Sequence, residues 1–195
     1  LFLWPSRLDP NQKGCELLSD ILYDLFSRYW RESLQVAIVA DGSFQCHFRN
    51  IQTWHRLQGR LALHGFNEEL SHLGYAASDF VLVPSRFEPC GLPQMIGAAY
   101  GALPIVHDTG GLHDTVTHLN VTTDQGNGFV FKTYDSDGLH WAIDQAMVFH
   151  HLPATVKQRT VERIMIEAAA RFNHETTAKH YFELYEKMLG RPLVS

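Results

Sequence analysis

The chain has 195 residues, 16 of them Lys or Arg and 21 Asp or Glu, for a formal net charge of −5, and 45% are hydrophobic. That is too apolar for a disordered chain, and no apolar run reaches the roughly 18 residues of a membrane-spanning helix. The acidic balance, with no basic stripe to neutralise phosphates, argues against a nucleic-acid partner.

The length suits a single domain, residues 1–195, with a sizeable core. Three widely spaced cysteines, Cys15, Cys46 and Cys90, form no CxxC pair. This argues against a zinc site or a disulfide framework and points to a reducing, cytoplasmic compartment.

Leu1–Trp4, closed by Pro5, reads as a strand, and the chain as a segment of a longer polypeptide. Cys15–Tyr29 carries Leu17, Leu18, Ile21, Leu22, Leu25 and Phe26 at the spacing of one helical face. Leu34–Ala40 is a β-branched strand ended by Asp41-Gly42. A helix over His47–Leu57, a strand over Leu61–His64 and a helix over Glu68–Ser78 follow. Asp79–Pro84 reads as a strand buried on both faces. Leu92–Tyr100 is predicted helical, with Pro93 in its first turn. A strand at Leu103–His107, a helix at Leu112–Thr117 and a strand at Gly128–Phe131 come next, then helices at Asp135–Phe149, Ala154–Arg171 and Glu175–Leu189. This alternation predicts an α/β fold, a parallel sheet flanked by helices, with ligands bound beyond the carboxyl ends of the strands.

Four of those strand ends carry candidate chemistry. After the first strand, Arg7 and Lys13 precede Gly14 and a helix start, an arrangement suited to a diphosphate; the competing reading is two solvated surface cations. After the buried strand, Ser85-Arg86-Phe87-Glu88-Pro89-Cys90-Gly91-Leu92 sets a carboxylate beside a helix whose first N–H groups lack partners. Glu88 there could bind sugar hydroxyls, or simply complement the helix dipole while Cys90 packs. Thr109-Gly110-Gly111 lets a backbone approach a ligand, or is a tight strand-to-helix turn. Phe66 could stack on a planar base, or belong to the core. Asp135-Ser136-Asp137 resembles a metal-binding D-x-D, but its place before a helix reads as an N-cap. His150-His151 reads as a pair of helix-end histidines.

Ser6-Arg7-Leu8 with Gln12-Lys13-Gly14, Gly65-Phe66, the run from Val83 to Leu92, Thr109-Gly110-Gly111-Leu112 and Gly128-Phe129-Val130-Phe131 together resemble bacterial glycogen synthase and plant starch synthase, in order and spacing along nearly the whole chain. The resemblance implies the C-terminal, donor-binding half of a GT-B glycosyltransferase with a Rossmann-like fold, its N-terminal domain lying outside this chain. The implied reaction moves glucose from ADP-glucose to the non-reducing end of an α-1,4-glucan with retention of configuration; the glucan would be held through the N-terminal domain. A UDP- or GDP-sugar enzyme, or a nucleotide-binding module inactive by itself, is the alternative. In the implied site Arg7, Lys13 and Glu88 are the catalytic residues. Arg7 and Lys13 hold the diphosphate and stabilise the departing ADP without a metal or other cofactor, and Glu88 binds the glucose hydroxyls. Phe66 stacks near the adenine, backbone N–H groups of Cys90, Gly91 and Leu92 reach the donor, and Thr109 and Gly110 line the nucleotide pocket. Three positions depart from the family pattern. Pro93 replaces a polar residue beside the phosphates, Ile96 a position where many such enzymes carry Glu, and His174 a frequent Trp.

Overall fold

The computed structural model describes residues 1–193. Its elements alternate as expected. They are β1 (Phe2–Trp4), α1 (Cys15–Arg28), a 3-10 turn (Trp30–Glu32), β2 (Val36–Val39), α2 (Gln45–Trp54), β3 (Leu61–His64), α3 (Glu68–Ala77), β4 (Phe80–Val83), α4 (Pro93–Tyr100), β5 (Leu103–His107), α5 (Gly110–Thr115), β6 (Phe129–Phe131), α6 (Ser136–His150), α7 (Ala154–Arg171) and α8 (His174–Leu189). None of these helices is long and apolar enough to cross a membrane.

Two boundaries moved for identifiable reasons. The predicted helix to Leu57 stops at Trp54, because Arg56 turns left-handed at φ 53° and cannot continue it. The helix expected from Leu112 starts at Gly110, behind an extended Thr109 at the N-cap. Side chains set other starts: Asn67 Oδ1 accepts from the Leu70 N–H at 2.7 Å, Asp135 Oδ1 from Gly138 at 2.7 Å and Asn173 Oδ1 from Thr176 at 2.8 Å. Asp135 is thus a helix cap, as its position predicted.

The six strands are all parallel, in the order β3-β2-β1-β4-β5-β6. Every residue of β4 and β5 is buried, as two-sided cover requires, whereas the edge strand β3 exposes alternate positions. Side chains alternate across the sheet. Phe2, Trp4, Phe80, Leu82 and Ile105 pack on one face with α1, α2 and α6. Leu3, Val81, Val83 and Val106 pack on the other, with Tyr75 of α3 and Leu112 of α5. Burying each such side chain contributes about 1.5–3 kcal/mol.

The strand order fixes where a ligand can sit. The chain runs outward from β1 to β3, then returns to place β4 on the other side of β1. Between β1 and β4 the connections diverge to opposite sides, which opens a crevice at the carboxyl ends of the central strands.

Candidate functional site

The loop after β1 (residues 5–14), the loop after β4 (residues 84–92) and the start of α5 after β5 meet at that crevice. Backbone contacts lock them together. The Arg86 N–H donates to the Gln12 carbonyl at 2.8 Å, and the Gly111 N–H donates to the Glu88 carbonyl at 2.8 Å. Glycine is required where the loops touch. Gly14 sits at φ 75°, and a Cβ there would lie 2.1 Å from the Pro84 carbonyl oxygen. A Cβ on Gly111 would lie 2.1 Å from the Cys90 oxygen, and one on Gly110 would lie 2.3 Å from the Glu88 oxygen.

This packing joins two predicted site residues. Lys13 Nζ meets Glu88 Oε2 at 2.5 Å, with the side chains only 12% and 9% exposed. The buried Ser85 hydroxyl donates to the same Glu88 oxygen at 3.0 Å. A pair so withdrawn from water gains little net stability, because desolvation offsets most of the Coulomb attraction. Its effect is to hold one ammonium and one carboxylate in fixed positions at the strand ends. The reading of Lys13 as a solvated surface cation is therefore corrected, as is the reading of Glu88 as a helix-dipole partner alone.

The α4 side of the crevice is built as the sequence suggested. Among the described residues, the N–H groups of Cys90, Gly91 and Leu92 donate to no protein acceptor. Gly91 is left-handed at φ 74°. Buried Gln94 secures this turn: its Nε2 donates to the Gly91 carbonyl at 2.7 Å and lies 3.2 Å from the Cys90 carbonyl and 3.0 Å from Thr115 Oγ1. Pro93 occupies the first position of α4, where its missing N–H removes no helical hydrogen bond. Ile96 packs half-buried against the α3–α5 face of the sheet. Thr109 is half-buried, and Gly110 lies against the Glu88 backbone.

Arg7 and Phe66 are placed elsewhere along the same strand ends. Arg7 is exposed and, among the described residues, forms no ion pair with a carboxylate. Together with Phe66, Pro5, Ala40, Asp41 and Gly42 it lines a cavity of about 460 Å³. Phe66 is 65% exposed, which corrects the reading of it as a core residue. Asp41 was read only as part of a turn, yet it faces this cavity and a neighbouring one of about 310 Å³ that Arg7 also lines. Ser85, Gln94 and His107 were likewise missed. His107 Nδ1 lies 2.9 Å from the Ser85 carbonyl oxygen and so buttresses the Glu88 loop from β5. Only the end position of Ser85 and His107 on apolar strands could have marked them in the sequence.

Among the described residues no three His, Cys, Asp or Glu side chains converge as a metal-ligand set. His174, at the start of α8, is exposed. His150 and His151 close α6, beside Asp79 and Glu32 respectively.

Residues 1–148 match the family described as glycosyl transferases group 1. The chain is 43% identical to the glycogen synthase of Bacillus licheniformis over 144 residues, covering 72% of this chain and 29% of that protein. It is 39% identical to the glycogen synthase of Desulforudis audaxviator over 184 residues, covering 93% of this chain and 35% of that protein. The chain thus spans about a third of the length of the curated relatives it matches. Among solved structures, the catalytic domain of starch synthase IV from Arabidopsis thaliana, bound to ADP and acarbose, superposes with a TM-score of 0.81 at 32% identity, covering 97% of this chain and 38% of that one. Anabaena HepE in complex with UDP superposes with a TM-score of 0.72 at 22% identity, covering 95% of this chain and 48% of that one, a likeness of fold. With its Rossmann-like parallel sheet and its glycogen and starch synthase relatives, the chain belongs to the glycosyl transferases group 1 family and has the fold of a GT-B glycosyltransferase domain.

Proposed function

We propose that this chain is the donor-binding domain of a retaining glucosyltransferase that moves glucose from ADP-glucose to the non-reducing end of an α-1,4-glucan. The observation that carries this reading is the Lys13–Glu88 pair at the carboxyl ends of β1 and β4, beside the free N–H groups that open α4. Kinship with glycogen synthases, and the ADP bound by the starch synthase IV domain, support ADP-glucose as the donor.

In this reading Lys13 turns one N–H from Glu88 toward a phosphate oxygen, and Arg7 supplies the second positive charge. Together they neutralise the charge that grows on departing ADP, the task a divalent cation performs in other transferases. Glu88, steadied by Ser85, accepts hydrogen bonds from glucose hydroxyls. The N–H groups of Cys90, Gly91 and Leu92 approach the donor from the positive end of α4. Phe66 stacks on the adenine over the Arg7–Asp41 cavity, and Thr109 and Gly110 close the far wall. No metal or other cofactor takes part. The glucan acceptor is held by an N-terminal domain outside these residues, so the chain alone binds donor but elongates glucan poorly.

Calorimetric titration with ADP and with UDP, in EDTA, tests this. Saturable ADP binding that survives EDTA and exceeds UDP binding is expected. Lys13→Ala should weaken ADP binding about tenfold or more, the worth of one charge-assisted hydrogen bond. Unchanged ADP affinity in that variant overturns the phosphate role. Tighter UDP binding overturns the choice of nucleotide, and loss of binding in EDTA overturns the metal-free mechanism.

A further inference from the structure

At the β6 edge of the sheet, beyond Thr109 and Gly110, lies a cavity of about 590 Å³ whose walls include Trp141, His118, Thr117, Lys132, His113 and Asp108. Its size is that of a small-ligand pocket. The indole of Trp141, on the second turn of α6, is 47% exposed. The His118 ring lies against it, with centroids 5.4 Å apart and planes 21° apart, and the edge of Phe129 supports His118 from behind.

The tautomer of His118 is set by the fold. The outward N–H of Val130, on edge strand β6, donates to His118 Nδ1 at 3.1 Å. Nδ1 accepts from that amide, which leaves Nε2 to carry the ring N–H. The ring is thereby pinned to a sheet edge and offers one donor. Around it Thr117 provides a hydroxyl and Lys132 an ammonium, while Asp108 Oδ1 and His113 Nδ1 pair at 2.6 Å. Paired with each other, those two add little net charge to the wall.

A flat aromatic floor held from two separate elements and ringed by single donors and acceptors is matched to a pyranose. The sugar's C–H face lies on the indole and its hydroxyls meet the rim. A floor already rigid adds little ordering cost on binding. We infer that this pocket is a second carbohydrate site, separate from the donor crevice, which holds one or two glucosyl units of an α-1,4-glucan with Trp141 as the stacking platform. The choice of α-glucan rests on the function proposed above; the platform itself does not.

The chain carries four tryptophans, so its indole N–H spectrum should show four signals, and Trp141→Phe identifies one by removing it. Adding maltoheptaose should shift the Trp141 signal progressively and leave the other three in place, with saturating ADP present or absent. In a glycogen-containing native gel the chain should be retarded, Trp141→Ala at least threefold less, and Trp141→Phe in between. A thermal melt confirms that both variants are folded, and the indole shifts of the unmodified chain give the answer independently of either. A Trp141 signal indifferent to maltoheptaose, retardation equal in Trp141→Ala, or displacement of the glucan by ADP would overturn the inference. If ADP binds but maltoheptaose leaves Trp141 unmoved, the pocket falls and the donor reading stands; if maltoheptaose moves Trp141 but ADP does not bind, the donor reading falls and the platform stands.

Discussion

Lys13 and Glu88 lie 75 positions apart in sequence and touch in the fold. Each was legible singly, as a cation before a helix and a carboxylate in an unusual turn, but their pairing was not. No local pattern announces which of 21 acidic residues will face a given lysine. His113 shows a similar effect at the surface. Its hydrogen bond to Asp108, reinforced by that carboxylate's charge, raises its pKa above the ordinary 6.5. A raised pKa means that the folded state binds the proton more tightly. The resulting stabilisation is fully present below about pH 6.5 and fades as pH rises through the folded value. Followed by NMR of the imidazole protons, His113 should titrate above 6.5, and Asp108→Asn should return it toward 6.5. A titration unmoved by that substitution would mean that another group sets it.

Among the elements, a helix start was readable where a polar side chain caps it, because capping is a local matter of that side chain and the N–H three residues on. Asp135 illustrates this: the D-x-D that could have suggested a metal is a cap. Gly14 illustrates the opposite. It was read as a helix opener, but its real constraint is the Pro84 carbonyl pressed against its Cα from another loop. Gly14→Ala should therefore cost more than the roughly 1–2 kcal/mol of a left-handed alanine, since the loops after β1 and β4 must also part. A fall in melting temperature of about 5 °C or more is expected by calorimetry, with ADP affinity reduced as Lys13 moves off Glu88. A variant with the wild-type melting temperature would show that the loops are not locked there.

For the molecule as a whole, the core is carried by the sheet and by α1 to α7, while α8 buries no residue. Tyr181, Phe182, Leu184, Tyr185, Met188 and Leu189 on α8 are each about half exposed or more. A helix that hides no apolar surface adds little to the cohesion of the rest. Ending the chain after Asn173 should shift its melting temperature by less than about 3 °C, roughly 1 kcal/mol for a domain of this size. A larger drop would mean that α8 packs against the sheet in solution.

What the sequence by itself determined was the kind and sequence of the elements. The period of the apolar residues, the caps and the breakers act within a few positions of one another and can be read there. The buried run Phe80–Val83 announced a central strand, and its continuation to Leu92 nominated a candidate site. Only the tertiary structure decided that β1 and β4 are neighbours, that Phe66 stands in solvent with Arg7 and Asp41, and that Trp141 meets His118 at the sheet edge. Strand order arises from backbone hydrogen bonds and packing between segments far apart in the chain, and these leave no periodic trace in either segment. The crevice exists because of that order, so its residues could be nominated from the sequence but not assembled from it.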